Sequence, residues 1–236
     1  MSLTNYETAF TAILFVPCVY MFKKLYSTYK SLKQQYEDEE LFYQRHNCVV
    51  MYSKTHITGW PPEYKMSIST KNLDKFLDPY LYFINTSKHS IDLAVMTFSL
   101  KPLMEALQSA LTRGVKVRLI VNYLSVKNQA KQYNELMKSG IKVAFYIEKT
   151  TSLSNIMHCK YSVKDYDGSK GFLFMGSMNL TGMSTILNNY EDVTFTSNIY
   201  LVETFHKSFQ DSWNMIMEDN ENFYNKTVLA DSGFSV

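Results

Sequence analysis

The sequence predicts an α/β fold, a sheet covered by helices on both faces. Two observations carry that expectation. From Ser90 to Tyr146, apolar runs of strand length alternate with amphipathic stretches of helix length. Apolar residues make up 46% of the 236 positions, ample for a buried core. The formal net charge of +2 is too small to imply a nucleic-acid partner, so any basic surface must be local. Cys18, Cys48 and Cys159 are odd in number and widely spaced. They do not form a disulfide framework, and they fit a reducing compartment.

In chain order, Thr8 to Phe22 carries no charge, and Lys23 and Lys24 follow at once. The run falls short of the roughly 20 residues of a comfortable span, and reaches it when counted over residues 3–22. An uncleaved membrane anchor is the expectation, with Pro17 a tolerated kink and the following chain on the cytosolic side. A signal peptide competes, but the basic residues follow the apolar run and no small-residue cleavage site is evident. A buried or surface helix is the other alternative. Lys23 to Glu40 reads as a polar helical stalk. Leu41 to Tyr64 has no clear periodicity; its Gly59-Trp60-Pro61-Pro62 reads as a turn with the tryptophan over the core.

Ser69 to Asn85 places Leu73, Phe76, Leu77, Tyr80, Leu81 and Ile84 at helical spacing, a core-facing stripe. Strands are expected over Ser90–Phe98, Lys116–Tyr123 and Ile141–Tyr146. Helices are expected over Lys101–Arg113, ended by Gly114, and over Asn128–Lys138, ended by Ser139-Gly140. Glu148 to Asn155 reads as a loop. Leu180 to Asn188 reads as a short helix or loop, Tyr190–Thr196 as a strand, and Leu201–Met217 as an amphipathic helix. The organisation follows: anchor 1–24, stalk and insertion 25–64, main domain 65–220, and a loose polar tail over 221–236.

The chemistry is concentrated between His158 and Asn179. His158 and Lys160 are two residues apart, which in a strand points both to one face. Asp165 to Gly171 reads as a turn, with Asp and Gly where positive φ is needed. Phe172 to Met175 is an apolar return strand that brings Gly176, Ser177 and Asn179 back toward His158. A neutral imidazole is a nucleophile near neutral pH. Lys160 and the Asn179 amide can hold phosphate oxygens as charge builds on them. With side chains as the cations, phosphoryl transfer needs no metal. His46, His56, His89 and His206 lack such company; His206 is expected to face solvent.

His-x-Lys, four residues, Asp, a spacer, then Gly-Ser-x-Asn resembles the phospholipase D superfamily signature. The spacer after Asp165 is about four residues longer than the family's usual one, and the excess falls in the turn, where length changes are tolerated. The resemblance runs from about Ser90 to about Met217 and implies the superfamily's mixed sheet. One motif copy behind an apolar N-terminus is similar to the single-motif mitochondrial branch, the Zucchini endoribonucleases and cardiolipin hydrolases.

That resemblance implies a homodimer in which the His158 residues of two subunits share one phosphodiester. One attacks to form a phosphohistidine, and the other acts as acid and then as base. It also implies that Glu191, from Asn188-Asn189-Tyr190-Glu191-Asp192-Val193, holds the other nitrogen of His158. Ser177 adds a hydrogen bond to phosphate, while Asp165 and Gly176 support the hairpin. In this branch the region before the domain resembles a zinc-binding insertion. Here only His46, Cys48 and His56 are available where structural zinc takes four ligands, so no metal and no cofactor is expected.

Three functions follow. The leading expectation is endonucleolytic cutting of single-stranded RNA of the piRNA-precursor type, with Lys127, Lys131, Lys142, Lys149 and Lys170 lining a groove; the other two are alternatives. A second is hydrolysis of cardiolipin; for either, the expected place is the mitochondrial outer membrane, with the domain facing the cytosol. The third is a catalytically silent, membrane-anchored dimeric adaptor. The joint presence of His158, Lys160, Asn179 and Glu191 argues against the adaptor.

Overall fold

The computed structural model describes residues 3–54, 56–61, 65–67, 73–148, 155–182 and 189–235, with side chains described from residue 15 onward and not for residues 73 and 74. The chain divides into two compact units, Met1–Tyr43 and Gln44–Val236.

The first unit is almost all of one helix, α1 (Leu3–Arg45), which continues through Pro17 for 43 residues. Along its stalk, Lys33 pairs with Glu37 at 3.8 Å and the Gln34 amide donates to Asp38 at 2.9 Å, one helical turn apart. Among the described residues no helix is long and apolar enough to cross a membrane. Residues 3–14 of the anchor expected over residues 3–22 lie outside those whose side chains are described.

The second unit is built on one nine-stranded mixed sheet. In chain order its strands are β1 (Cys48–Tyr52), β2 (His56–Thr58), β3 (Lys65–Ser67), β4 (Ser90–Val95), β5 (Lys116–Asn122), β6 (Lys142–Tyr146), β7 (Lys160–Lys164), β8 (Phe172–Gly176) and β9 (Glu191–Thr196). Their spatial order is β3-β2-β1-β9-β8-β7-β4-β5-β6. β4, β5 and β6 run parallel; every other neighbouring pair is antiparallel.

The side-chain alternation of the central strands explains the layers. Ile91, Leu93 and Val95 of β4 and Val117, Leu119 and Val121 of β5 face one core. Over them lie α2 (Asp78–Asn85), α3 (Lys101–Thr112) and, after the short α4 (Tyr123–Val126), α5 (Ala130–Lys138), through Tyr80, Phe83, Leu103, Leu107, Tyr133 and Leu136. Ala94, Ile120, Ala144, Tyr161 and Val163 face the other core, closed by Val202, Phe209, Trp213 and Ile216 of α6 (Ile199–Glu221). Phe76, Leu77, Tyr80 and Ile84 of the expected stripe are buried; its residues 69–72 lie outside those described.

Two boundaries differ from the sequence reading. The compact unit starts at Gln44, not at residue 65, because β1 pairs along its whole length with β9 and carries β2 and β3. Trp60 is buried against Tyr82 and Phe195, as the turn reading expects. The tail is not loose. Residues Phe223–Asp231 form a helix, α7, and it and the next turn bury Leu229 and Phe234, the latter ring against Tyr123, Tyr133 and Phe145.

Candidate functional site

β7, β8 and β9 are adjacent and antiparallel, so the start of β7, the end of β8 and the start of β9 meet at one end of the sheet. That end gathers His158, Lys160, Gly176, Ser177, Asn179 and Glu191 from segments separated in sequence.

Gly176 is where two backbones touch. It pairs with Val193, and a Cβ on it would stand 2.1 Å from the carbonyl oxygen of Asp192. Only glycine lets β8 approach β9 so closely. The next residue uses the approach: Ser177 N donates to Asp192 O, and Asp192 N donates to Ser177 Oγ, each at 3.0 Å. The Ser177 hydroxyl in turn donates to Glu191 Oε2, while Asn189 Nδ2 donates to Oε1 at 2.9 Å.

Those bonds bear on two expected roles. The single hydroxyl proton of Ser177 is donated to Glu191, which it orients in the free chain. Glu191 is held by Ser177 and Asn189, not by the ring of His158. The expectation that it fixes the imidazole does not hold in this arrangement.

His158 also departs from the strand argument. β7 begins at Lys160, so His158 stands just ahead of the strand, with its ring exposed. Lys160 is 8% exposed, and its ammonium donates to the His158 carbonyl at 2.9 Å. Burial pushes the Lys160 pKa below its ordinary 10.5, opposed by Cys159 and Glu191. Asn179 is half-buried, and its Oδ1 has no hydrogen-bond partner among the described residues. The following residue is fixed where Ser99 N donates to Leu180 O at 2.9 Å.

Asp165 lies at the opposite end of β7. Its φ is 54°, and its carboxylate accepts from the amides of Lys88, His89 and Ser90 at 2.7–3.1 Å. It ties the hairpin to the start of β4, away from the reacting groups. The longer turn is closed by Asp167, whose carboxylate accepts from the Ser169 hydroxyl at 2.8 Å and from the Ser169 and Lys170 amides, each at 3.0 Å. These bonds lower the Asp167 pKa to about 2.

One positioning residue escapes the motif. Asn122, at the end of β5, is 1% exposed. Its Oδ1 accepts from Met157 N at 3.2 Å and its Nδ2 donates to Ser125 Oγ at 3.0 Å. It fixes the backbone one residue before His158. The only sequence signal was a polar residue closing an apolar strand.

The lysines do not form one groove. Lys127 and Lys131 follow β5 at the site's end of the sheet. Lys142 opens β6 and Lys170 lies in the β7–β8 turn, both at the opposite end. Lys149 lies outside the described residues, as do 149–154 of the expected rim loop and 183–188 of the segment after Asn179. His206 does not face solvent: it is half-buried, with Nδ1 3.7 Å from Asp92 Oδ2 and its ring against Tyr166. His46 is buried, with its ring tilted against that of Phe172 at 4.5 Å. Among the described residues no three His, Cys, Asp or Glu side chains are grouped to hold a metal ion.

The family model for the cardiolipin synthase, PLD-like domain matches residues 80–213, and that stretch contains every motif residue above. The chain belongs to the phospholipase D-like family. Curated relatives include mitochondrial cardiolipin hydrolase of Drosophila melanogaster, 27% identical over 163 residues (61% of this chain, 60% of that protein). The Homo sapiens protein of the same name is 29% identical over 138 residues (58% of this chain, 51% of that protein). The chain thus spans little more than half the length of these family members. Among solved structures, the phospholipase D family member Nuc from Salmonella typhimurium shares 27% identity, covers 57% of this chain and 84% of its own, and aligns with a TM-score of 0.48.

Proposed function

We propose that the chain is a phosphodiesterase that works through His158 without a metal ion. The observation that carries this reading is the gathering of His158, Lys160, Asn179 and Glu191 at one end of β7–β8–β9, while the motif's other carboxylate, Asp165, is consumed at the far end. His158 attacks phosphorus through a neutral ring nitrogen, and the P–O bond to the leaving alcohol breaks. The Lys160 ammonium and the Asn179 amide take the charge on the non-bridging oxygens. Water then attacks the phosphohistidine and returns the imidazole. The departing oxygen needs a proton and the water needs a base. One chain offers one such histidine, so a homodimer that brings His158 of the partner subunit to the same phosphorus completes the reaction.

For the substrate, the relatives' names support a phospholipid over single-stranded RNA. The division of the lysines between the two ends weakens the RNA groove. Cardiolipin is the phospholipid that the relatives' names support, and with it a mitochondrial location. Attachment to the outer membrane by residues 3–22, with the domain in the cytosol, fits Lys23, Lys24, Lys30 and Lys33 following the apolar run.

The test is the full chain with cardiolipin vesicles and, separately, labelled single-stranded RNA, each with EDTA and beside His158→Ala. The reading expects phosphatidic acid and phosphatidylglycerol from cardiolipin, undiminished by EDTA and absent in the variant. RNA cut to 5′-phosphate ends with cardiolipin untouched transfers the same mechanism to RNA. Activity that survives His158→Ala, or that disappears with EDTA, overturns it.

A further inference from the structure

A cleft of about 630 Å³ lies away from the His158 end. It opens at the starts of β4, β5 and β6, a strand length away. β4 has six residues, and at about 3.3 Å per residue the two ends are separated by roughly 15–20 Å. We propose that this cleft is a second binding site, for a small organic phosphate. The proposal does not depend on the phosphodiesterase reading.

The parallel register builds the site. Asp92, Arg118 and Lys142 are successive partners across β4, β5 and β6, so they form a row. Arg118 Nε and Nη2 donate to the two Asp92 oxygens at 2.7 Å each, and Nη1 donates to Gln210 Oε1 at 3.0 Å. The only carboxylate lining the cleft is therefore neutralised by a bidentate partner. Lys116 and Lys142 open β5 and β6 at the rim, exposed and with no acidic partner among the described residues. His206 of α6 closes the wall. Its Nδ1 is buried without a hydrogen-bond partner and stands beyond bonding distance of Asp92.

The excess charge is thus two ammonium groups, which match a phosphate dianion. Leu111, half-buried at the cleft, supplies an apolar surface for a non-phosphate portion. The volume falls in the range of cavities that enclose one small molecule, about 300–1,000 Å³.

Adenosine monophosphate and inorganic phosphate are the probes, titrated calorimetrically into the full chain, into His158→Ala and into the double variant Lys116→Gln, Lys142→Gln. The cleft predicts saturable binding of adenosine monophosphate that is unchanged in His158→Ala. It predicts binding at least about tenfold weaker in the double variant, whose unfolding temperature and diester cleavage stay as in the wild type. Inorganic phosphate binds more weakly than the nucleotide. Absence of saturable binding, loss of it in His158→Ala, full retention in the double variant, or equal affinity for both probes overturns the proposal.

Discussion

The position of His158 is set by backbone bonds on both sides of it. Met157 N is held by Asn122, and Cys159 O accepts from Met96 N at 3.1 Å. Asn122→Ala removes the first. The loss of that bond from the half-buried Met157 amide should cost about 0.5–1.5 kcal/mol of stability. A small displacement of the imidazole should lower kcat by roughly 10- to 100-fold with KM little changed, measured on the diester the wild type cleaves.

Lys164 makes a different prediction. It is fully buried, its ammonium donates to Phe83 O at 2.9 Å and Thr86 Oγ1 at 2.6 Å, and burial lowers its pKa from 10.5 to about 7. Above pH 7 the native state has released a proton that the unfolded chain still holds, so stability rises with pH, by at most about 1.4 kcal/mol per unit. Cys48, raised by burial from 9.0 to about 11, opposes the rise only above pH 9. Denaturant unfolding should therefore show wild-type stability climbing relative to Lys164→Met between pH 7 and 9; parallel curves contradict this assignment. At this scale the motif residues were legible because their chemistry is rare in combination. The Ser177–Glu191 link and the bond from Asn122 depend on strand ends that only the register brings together.

Among the elements, those with strong periodicity were legible. The alternation from β4 to β6 gives strands and helices whose buried faces follow the apolar spacing, and α6 runs from Ile199 to Glu221 around the expected stripe. β1 to β3 were not legible. β1 is only five residues with alternate positions exposed, and β2 and β3 have three residues each, too short for a pattern. α7 was missed because its hold on the domain is not a stripe; it rests chiefly on Leu229 and on Phe234 just beyond the helix. Phe234→Ala empties a site among three aromatic rings and should cost about 3–5 kcal/mol in chemical denaturation. A loss within a few tenths of a kcal/mol would return these residues to the status of a tail.

In the second unit, the sheet separates two groups of polar residues by its length. One end gathers the groups that suit phosphoryl transfer; the other holds Asp165, the closed turn and the cleft over Arg118. The superfamily's sheet was legible from one motif and the alternation before it. The start of the second unit at Gln44 was not, because pairing of β1 with β9 joins residues far apart in sequence.

The shared use of two His158 side chains by one phosphodiester is tested most directly by co-expressing wild-type and His158→Ala chains at varied ratios and measuring diester hydrolysis. The account predicts that activity falls with the square of the wild-type fraction, because a mixed dimer lacks either nucleophile or acid. A linear fall, with each chain contributing independently, would contradict it.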